Sequence, residues 1–172
     1  MLKLIRALTL TGAAGLLVAG NAFAGASPQS TTFLVSAQVI SSCNVTATPL
    51  AFGSYDQLSG TAKLGTSTVS VQCTSGTVAT IALNGGVNGT LAQRKMKDSV
   101  SGDILNYQLY TTLSNTAVWG DGTGSTVTQS YPSTNSATVQ PFTVYGTIPS
   151  GQNVATSTSN TYQDTITVTV SF

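Results

Sequence analysis

The sequence predicts an all-β antiparallel sandwich, and three observations carry that prediction. Apolar and polar residues alternate over short runs, turn residues separate the runs, and the composition suits strands. The 172 residues are 41% hydrophobic and only 6% charged, with 29 Thr and 21 Ser. Branched and hydroxyl residues at such frequency favour the pleated, half-buried surface of a strand. The low charge does not signal disorder, because branched apolar residues are plentiful and no charge block occurs. The length suits one domain with a sizeable core.

Residues 1–24 read as a Sec signal peptide. Lys3 and Arg6 form a positive start, Ala7 to Gly20 an apolar run, and Ala22-Phe23-Ala24 a cleavage site. The run is too short to span a membrane. Cleavage after Ala24, or two residues later after Ala26, is expected to release an exported chain to the periplasm or cell surface. Cleavage after Ala24 leaves 148 residues. Their side-chain charge is −1, from Lys63, Arg94, Lys95 and Lys97 against Asp56, Asp98, Asp103, Asp121 and Asp164.

Export gives the two cysteines a meaning. An even pair in an oxidising compartment predicts a disulfide between Cys43 and Cys73. The closed loop is worth roughly 3–4 kcal/mol by the chain-entropy argument. A redox role is disfavoured, since the spacing is far from CxxC and no His stands ready to activate a thiolate.

The strands follow in order. Phe33, Val35, Ala37 and Val39 alternate, then Val69, Val71 and Cys73, then Ala79, Ile81 and Leu83, then Leu105, Tyr107 and Leu109. At the end Ile166, Val168, Val170 and Phe172 alternate with Thr165, Thr167, Thr169 and Ser171, and the first four are expected to face the core as the last strand. Turns are expected at Asn84-Gly85-Gly86, Asn88-Gly89, Ser101-Gly102-Asp103, Asp121-Gly122 and Ser150-Gly151. Pro141 marks an edge or a bend. No mature segment carries a helical period, and short strands with regular turns indicate an immunoglobulin-type sandwich. From periodicity alone, Thr31 to Ile40 is either strand A of a closed sandwich or a free strand able to complete another sheet.

Several functions are excluded or disfavoured. There is no His and no Glu, so no nucleophile–base pair can be assembled and no enzyme is expected. Two Cys without His cannot complete a zinc site, and the Asp residues lack calcium-loop spacing. No metal or cofactor is expected. The near-neutral balance argues against nucleic acid. Arg94, Lys95 and Lys97 form one basic cluster, expected in a solvated loop. Trp119, in Val-Trp-Gly-Asp-Gly, reads as packing over a strand end rather than as a sugar platform, because aromatics commonly anchor cores. Asn44-Val45-Thr46 and Asn88-Gly89-Thr90 match the N-x-[ST] pattern, which arises easily in a Thr-rich chain.

An ordered set of segments adds a resemblance. Thr48-Pro49-Leu50-Ala51-Phe52-Gly53-Ser54-Tyr55-Asp56, Arg94-Lys95-Met96, Tyr107-Gln108-Leu109-Tyr110, Val118-Trp119-Gly120-Asp121-Gly122, Val144-Tyr145-Gly146 and Tyr162-Gln163-Asp164-Thr165 run nearly the length of the mature chain. Together with the two cysteines they resemble the spore coat protein U domain family, which includes subunits of archaic (Csu-type) chaperone–usher pili. The resemblance implies an Ig-like pilin that lacks its last strand and is completed by donor-strand exchange. Residues 25–40 would be the donor segment, with Phe33, Val35, Ala37 and Val39 pointing inward, and 41–172 the pilin domain. A periplasmic chaperone would pair with the C-terminal strand, through Ile166, Val168, Val170 and Phe172. Its basic residues would hold the terminal carboxylate. An outer-membrane usher would then direct replacement by the next subunit's donor, giving a homopolymer or mixed fibre at the surface that supports adhesion and biofilm formation. Two alternatives remain at this point: a spore or cell-surface coat protein with the same fold that forms no fibre, and a ligand-binding adhesin.

Overall fold

The computed structural model describes residues 27–157 and 161–172. The signal segment 1–24 and both cleavage positions lie outside the described residues. No helix occurs among the described residues.

Among the described residues, nine strands form two antiparallel sheets. In chain order they are β1 (Cys43–Ala47), β2 (Lys63–Cys73), β3 (Val78–Leu83), β4 (Arg94–Asp98), β5 (Ile104–Tyr110), β6 (Gln129–Pro132), β7 (Gln140–Ile148), β8 (Tyr162–Gln163) and β9 (Val168–Ser171). The larger sheet runs β1-β2-β7-β5-β4-β8 and the smaller β6-β3-β9. The fold is an all-β, Ig-like antiparallel sandwich, as the alternation predicts.

Period two places the core. Val69, Val71 and Cys73 on β2, Ala79, Ile81 and Leu83 on β3, and Leu105, Tyr107 and Leu109 on β5 are all buried. Their intervening neighbours face outward, as the pleat requires. Cys43 stands opposite Cys73 in the β1–β2 register. Their sulfurs are joined, tying β1 to the buried end of β2.

Trp119 is fully buried and links the sheets. Its Nε1 donates to the Ile81 carbonyl on β3 at 3.1 Å, and its backbone N–H to the Leu109 carbonyl on β5 at 2.9 Å. Phe142 meets the indole edge-on, and Tyr131 meets Phe142 in the same way. A buried indole cannot serve as a sugar platform.

Pro141 lies inside β7 opposite Ser70 of β2. The β5–β7 ladder reaches only from Thr147 to Tyr145 on β7. At Pro141 the strand is therefore locally an edge, and the missing N–H costs no ladder bond.

Two expectations need correction. Arg94, Lys95 and Lys97 belong to β4 rather than a loop, and Arg94 is wholly buried. Its guanidinium satisfies fixed carbonyls, so a charge that would be solvated in a loop is retained inside. Phe172, expected to face the core, is 59% exposed. The β3–β9 ladder stops at Thr80–Ser171, so no partner strand flanks the last residue.

Residues 27–42 form no strand. Phe33, Val35 and Val39 are 85%, 79% and 88% exposed, and Ala37 is exposed as well.

Candidate docking groove

A groove of about 950 Å³ opens between the sheets. Val69, Leu105, Tyr107 and Val144 line it from the larger sheet, Leu83 from β3, Ile166 from the approach to β9 and Val168 from β9 itself. Residues 47–55 and Gln57 line it as well.

Backbone hydrogen bonding is incomplete along this groove. β9 ends the smaller sheet and pairs only with β3. Asn84 N–H donates to the Thr167 carbonyl at 3.1 Å. That bond fixes which residues face β3, because hydrogen-bonded pairs alternate along an antiparallel ladder. Thr167, Thr169 and Ser171 turn their backbone groups toward β3; Val168 and Val170 turn theirs to the open edge. The side chains of Ile166, Val168 and Val170 pack against the core. After Thr48 donates to the Thr68 carbonyl, the backbone of residues 49–54 makes no hydrogen bond among the described residues. Unpaired strand-like backbone beside an apolar cleft is a template for another strand.

The segment lining the groove is nevertheless held firmly. Gly65 of β2 and Gly146 of β7 are paired on the inner face and leave it bare. Leu50 and Phe52 fill the hollow. A Cβ on Gly146 would come within 2.8 Å of Leu50 Cδ1 and Phe52 Cζ. Past Phe52, Tyr55 Oη donates to the Pro149 carbonyl at 2.9 Å. Gln57 Nε2 donates to the Val154 carbonyl at 2.7 Å.

A polar network fixes the chain where it passes from β8 to β9. Asp164 Oδ1 accepts from the backbone N–H of Val87 at 2.9 Å, Asn88 at 3.3 Å and Thr165 at 2.9 Å. Asn88 Nδ2 adds a bond at 3.2 Å, so this sequon's amide is occupied. Asp164 Oδ2 accepts from Tyr107 Oη at 2.7 Å. Burial pushes the Tyr107 phenol above its ordinary pKa, and the bond to Asp164 adds to the rise. Gly86 is required beside this carboxylate: its φ is +82°, and a Cβ would lie 2.0 Å from Asp164 Oδ2.

Arg94 completes the support. Its Nε and Nη2 donate to the Asn84 carbonyl at 3.0 and 2.7 Å, Nη2 also to the Trp119 carbonyl at 2.7 Å, and Nη1 to Gln108 Oε1. Burial lowers its pKa, against the pull of Tyr107 and Asp164. Asn84 in turn accepts Thr167 N–H through Oδ1 at 2.9 Å. The buried cation thus braces the residue that begins the β3–β9 pairing.

Of the residues singled out from the sequence, Ile166 and Val168 line the groove, Val170 packs on the core beside it, and Phe172 is exposed. The four donor residues are exposed in a segment that forms no strand. From the sequence, Leu50 and Phe52 stand out only within a segment of the resemblance, Tyr107 also within a strand, Arg94 also in the basic cluster and Asp164 also among the five acidic residues. The signal for Leu50 and Phe52 lies in their i, i+2 spacing, interrupted by Gly53 before it can read as a strand.

The Spore Coat Protein U domain family matches residues 29–169. Protein U of Myxococcus xanthus is 34% identical over 134 residues, covering 72% of this chain and 71% of that protein. Among solved structures, a chain of the CsuC-CsuE chaperone-tip adhesion subunit pre-assembly complex, from archaic chaperone-usher Csu pili of Acinetobacter baumannii, is similar with a TM-score of 0.55 and 25% identity. That match covers 78% of this chain but only 40% of the other. With a family match over most of its length, this chain belongs to the spore coat protein U domain family.

Proposed function

We propose that this chain is a structural subunit of an archaic chaperone–usher pilus, polymerising by donor-strand exchange. One observation carries the reading: an apolar groove bounded by the open edge of β9 occurs in the same chain as an exposed, alternating, unpaired N-terminal run. The relative from Csu pili supports a chaperone as first partner and other pilin subunits as later ones. In this reading residues 1–24 direct export, 25–40 are the donor and 41–172 the receiving domain. A periplasmic chaperone covers the groove by pairing with the C-terminal strand at Ile166, Val168, Val170 and Phe172. At an outer-membrane usher the donor of the next subunit takes its place. The fibre stands on the cell surface and serves adhesion and biofilm formation.

Donor insertion is energetically reasonable. Burying Phe33, Val35 and Val39 gives roughly 5–8 kcal/mol before ordering costs. Main-chain pairing with Val168 and Val170 adds directionality.

The family name favours a second reading, a coat protein that uses the fold without forming fibres. Electron microscopy of cells with and without this chain separates the two. Thin fibres lost on deletion support the pilus; a continuous surface layer without fibres supports the coat.

A further inference from the structure

The donor row has an uneven size pattern. Phe33, Val35 and Val39 are large, whereas Ala37 is small. The groove has a matching irregularity. Along most of its length the sheets' own side chains line it, but at the Gly65–Gly146 pair the sheet is bare. There Leu50 and Phe52 already occupy the space. Phe52 also meets Tyr107 edge-on, with ring centroids 6.1 Å apart. Both side chains are half-buried, and both line the groove. Thr48 anchors the segment before them, Tyr55 and Gln57 after them. These anchors hold in place the backbone that carries Phe52.

We propose that Ala37 of an inserting copy seats over Phe52 of the receiving copy, and that this small-against-large contact fixes the donor register and selects partners with a small residue there. The inference rests on the donor-strand reading above. A two-residue slip sets Val35 or Val39 against the Phe52 ring. A one-residue slip turns the whole row outward. Only one register presents a methyl group at the filled position. The partner selected is a second copy of this chain.

The test uses synthetic peptides of residues 31–40 added to the full chain, with binding followed by fluorescence anisotropy. The wild-type peptide should bind and a Val35→Asp peptide should not. An Ala37→Phe peptide should bind about tenfold or more weakly, the usual scale of overpacking. It should recover on a Phe52→Ala chain. If the Ala37→Phe peptide binds the wild-type chain as well as the unchanged peptide, while Val35→Asp fails, the Ala37–Phe52 contact is wrong and the donor reading stands. If the wild-type peptide binds no better than Val35→Asp, the donor reading falls and this inference with it. Should Phe52→Ala fail to fold, the comparison on the wild-type chain decides alone.

Discussion

Tyr107 on β5 donates a 2.7 Å hydrogen bond to Asp164, at the point where the chain leaves β8 for β9. The contact joins the larger sheet to the segment that leads into β9, the strand whose far edge is open. Tyr107 also lines the groove. One side chain thus serves as groove lining and as a brace for the neighbouring crossover.

The two partners should differ on substitution. Tyr107→Phe removes one hydrogen bond and leaves Asp164 its backbone donors, costing about 1 kcal/mol, or a few degrees in Tm. Asp164→Ala strands the Tyr107 hydroxyl and the N–H groups of Val87 and Asn88. The Tyr107 hydroxyl, on a buried side chain, costs ~1–3 kcal/mol when left without a partner, whereas Val87 is an exposed residue whose N–H loses less. Thermal unfolding followed by circular dichroism should rank wild type above Tyr107→Phe and both well above Asp164→Ala. Equal losses would mean that Asp164 acts only through Tyr107.

How much of this was legible beforehand depended on whether period two was intact. Val69, Val71 and Cys73, or Ala79, Ile81 and Leu83, alternate cleanly, and each such run is a strand with those residues buried. β4 was hidden because Arg94-Lys95-Met96-Lys97-Asp98 carries charge on both faces. Only tertiary contacts reveal that Arg94 and Asp98 point inward. The hollow at Gly65 and Gly146 was equally unreadable. The two residues lie 81 positions apart in sequence, and their meaning arises from cross-strand pairing. Phe172 failed in the opposite way. Its pattern was correct, but a side chain needs something opposite it to be buried.

Arg94 should resist even its nearest replacement. Lys offers one ammonium where the guanidinium spans the carbonyls of Asn84 and Trp119 and the amide of Gln108. Arg94→Lys should cost about 3 kcal/mol or more, since several buried acceptors lose a charged donor. Chemical denaturation gives the number. Hydrogen exchange should show the loosening first at Thr167, whose N–H bonds to Asn84. A uniform loss of protection, with nothing special at Thr167, would count against the brace.

Acid should weaken the turn after β4. The Thr161 hydroxyl, then the Ser101 N–H and hydroxyl, hold the Asp98 carboxyl down at about 2. Ser101 N–H lies 2.6 Å and its Oγ 2.7 Å from Oδ2. An unperturbed Asp titrates near ~3.9. Because the folded pKa is depressed, the stabilisation is fully present above about 4 and is lost as pH falls toward about 2. Asp98→Asn should be less stable than wild type at pH 7, and the gap should close over that interval. A gap that persists unchanged at pH 2 would show that the carboxylate charge is not what the turn uses.

Val35→Asp separates folding from assembly. Val35 is 79% exposed, so its replacement should leave the fold unchanged: the same melting temperature, the same Cys43–Cys73 disulfide and the same capture by the chaperone. In the proposed fibre this side chain enters an apolar groove. A carboxylate there would have to be buried without a partner or take up a proton, at a cost of several kcal/mol. That is comparable with the whole gain from the donor's large side chains, so exchange should stop. Leu34, on the opposite face of the same run, is 89% exposed and supplies the control. Leu34→Asp should polymerise far better than Val35→Asp, because it faces outward in the expected register. Unheated gel electrophoresis, which preserves donor-strand contacts, reads the outcome as a ladder of multimers. Ladders from Leu34→Asp and none from Val35→Asp support the inward row. Intact ladders from Val35→Asp would rule out the donor assignment, and the reverse pattern would place the even-numbered residues in the groove.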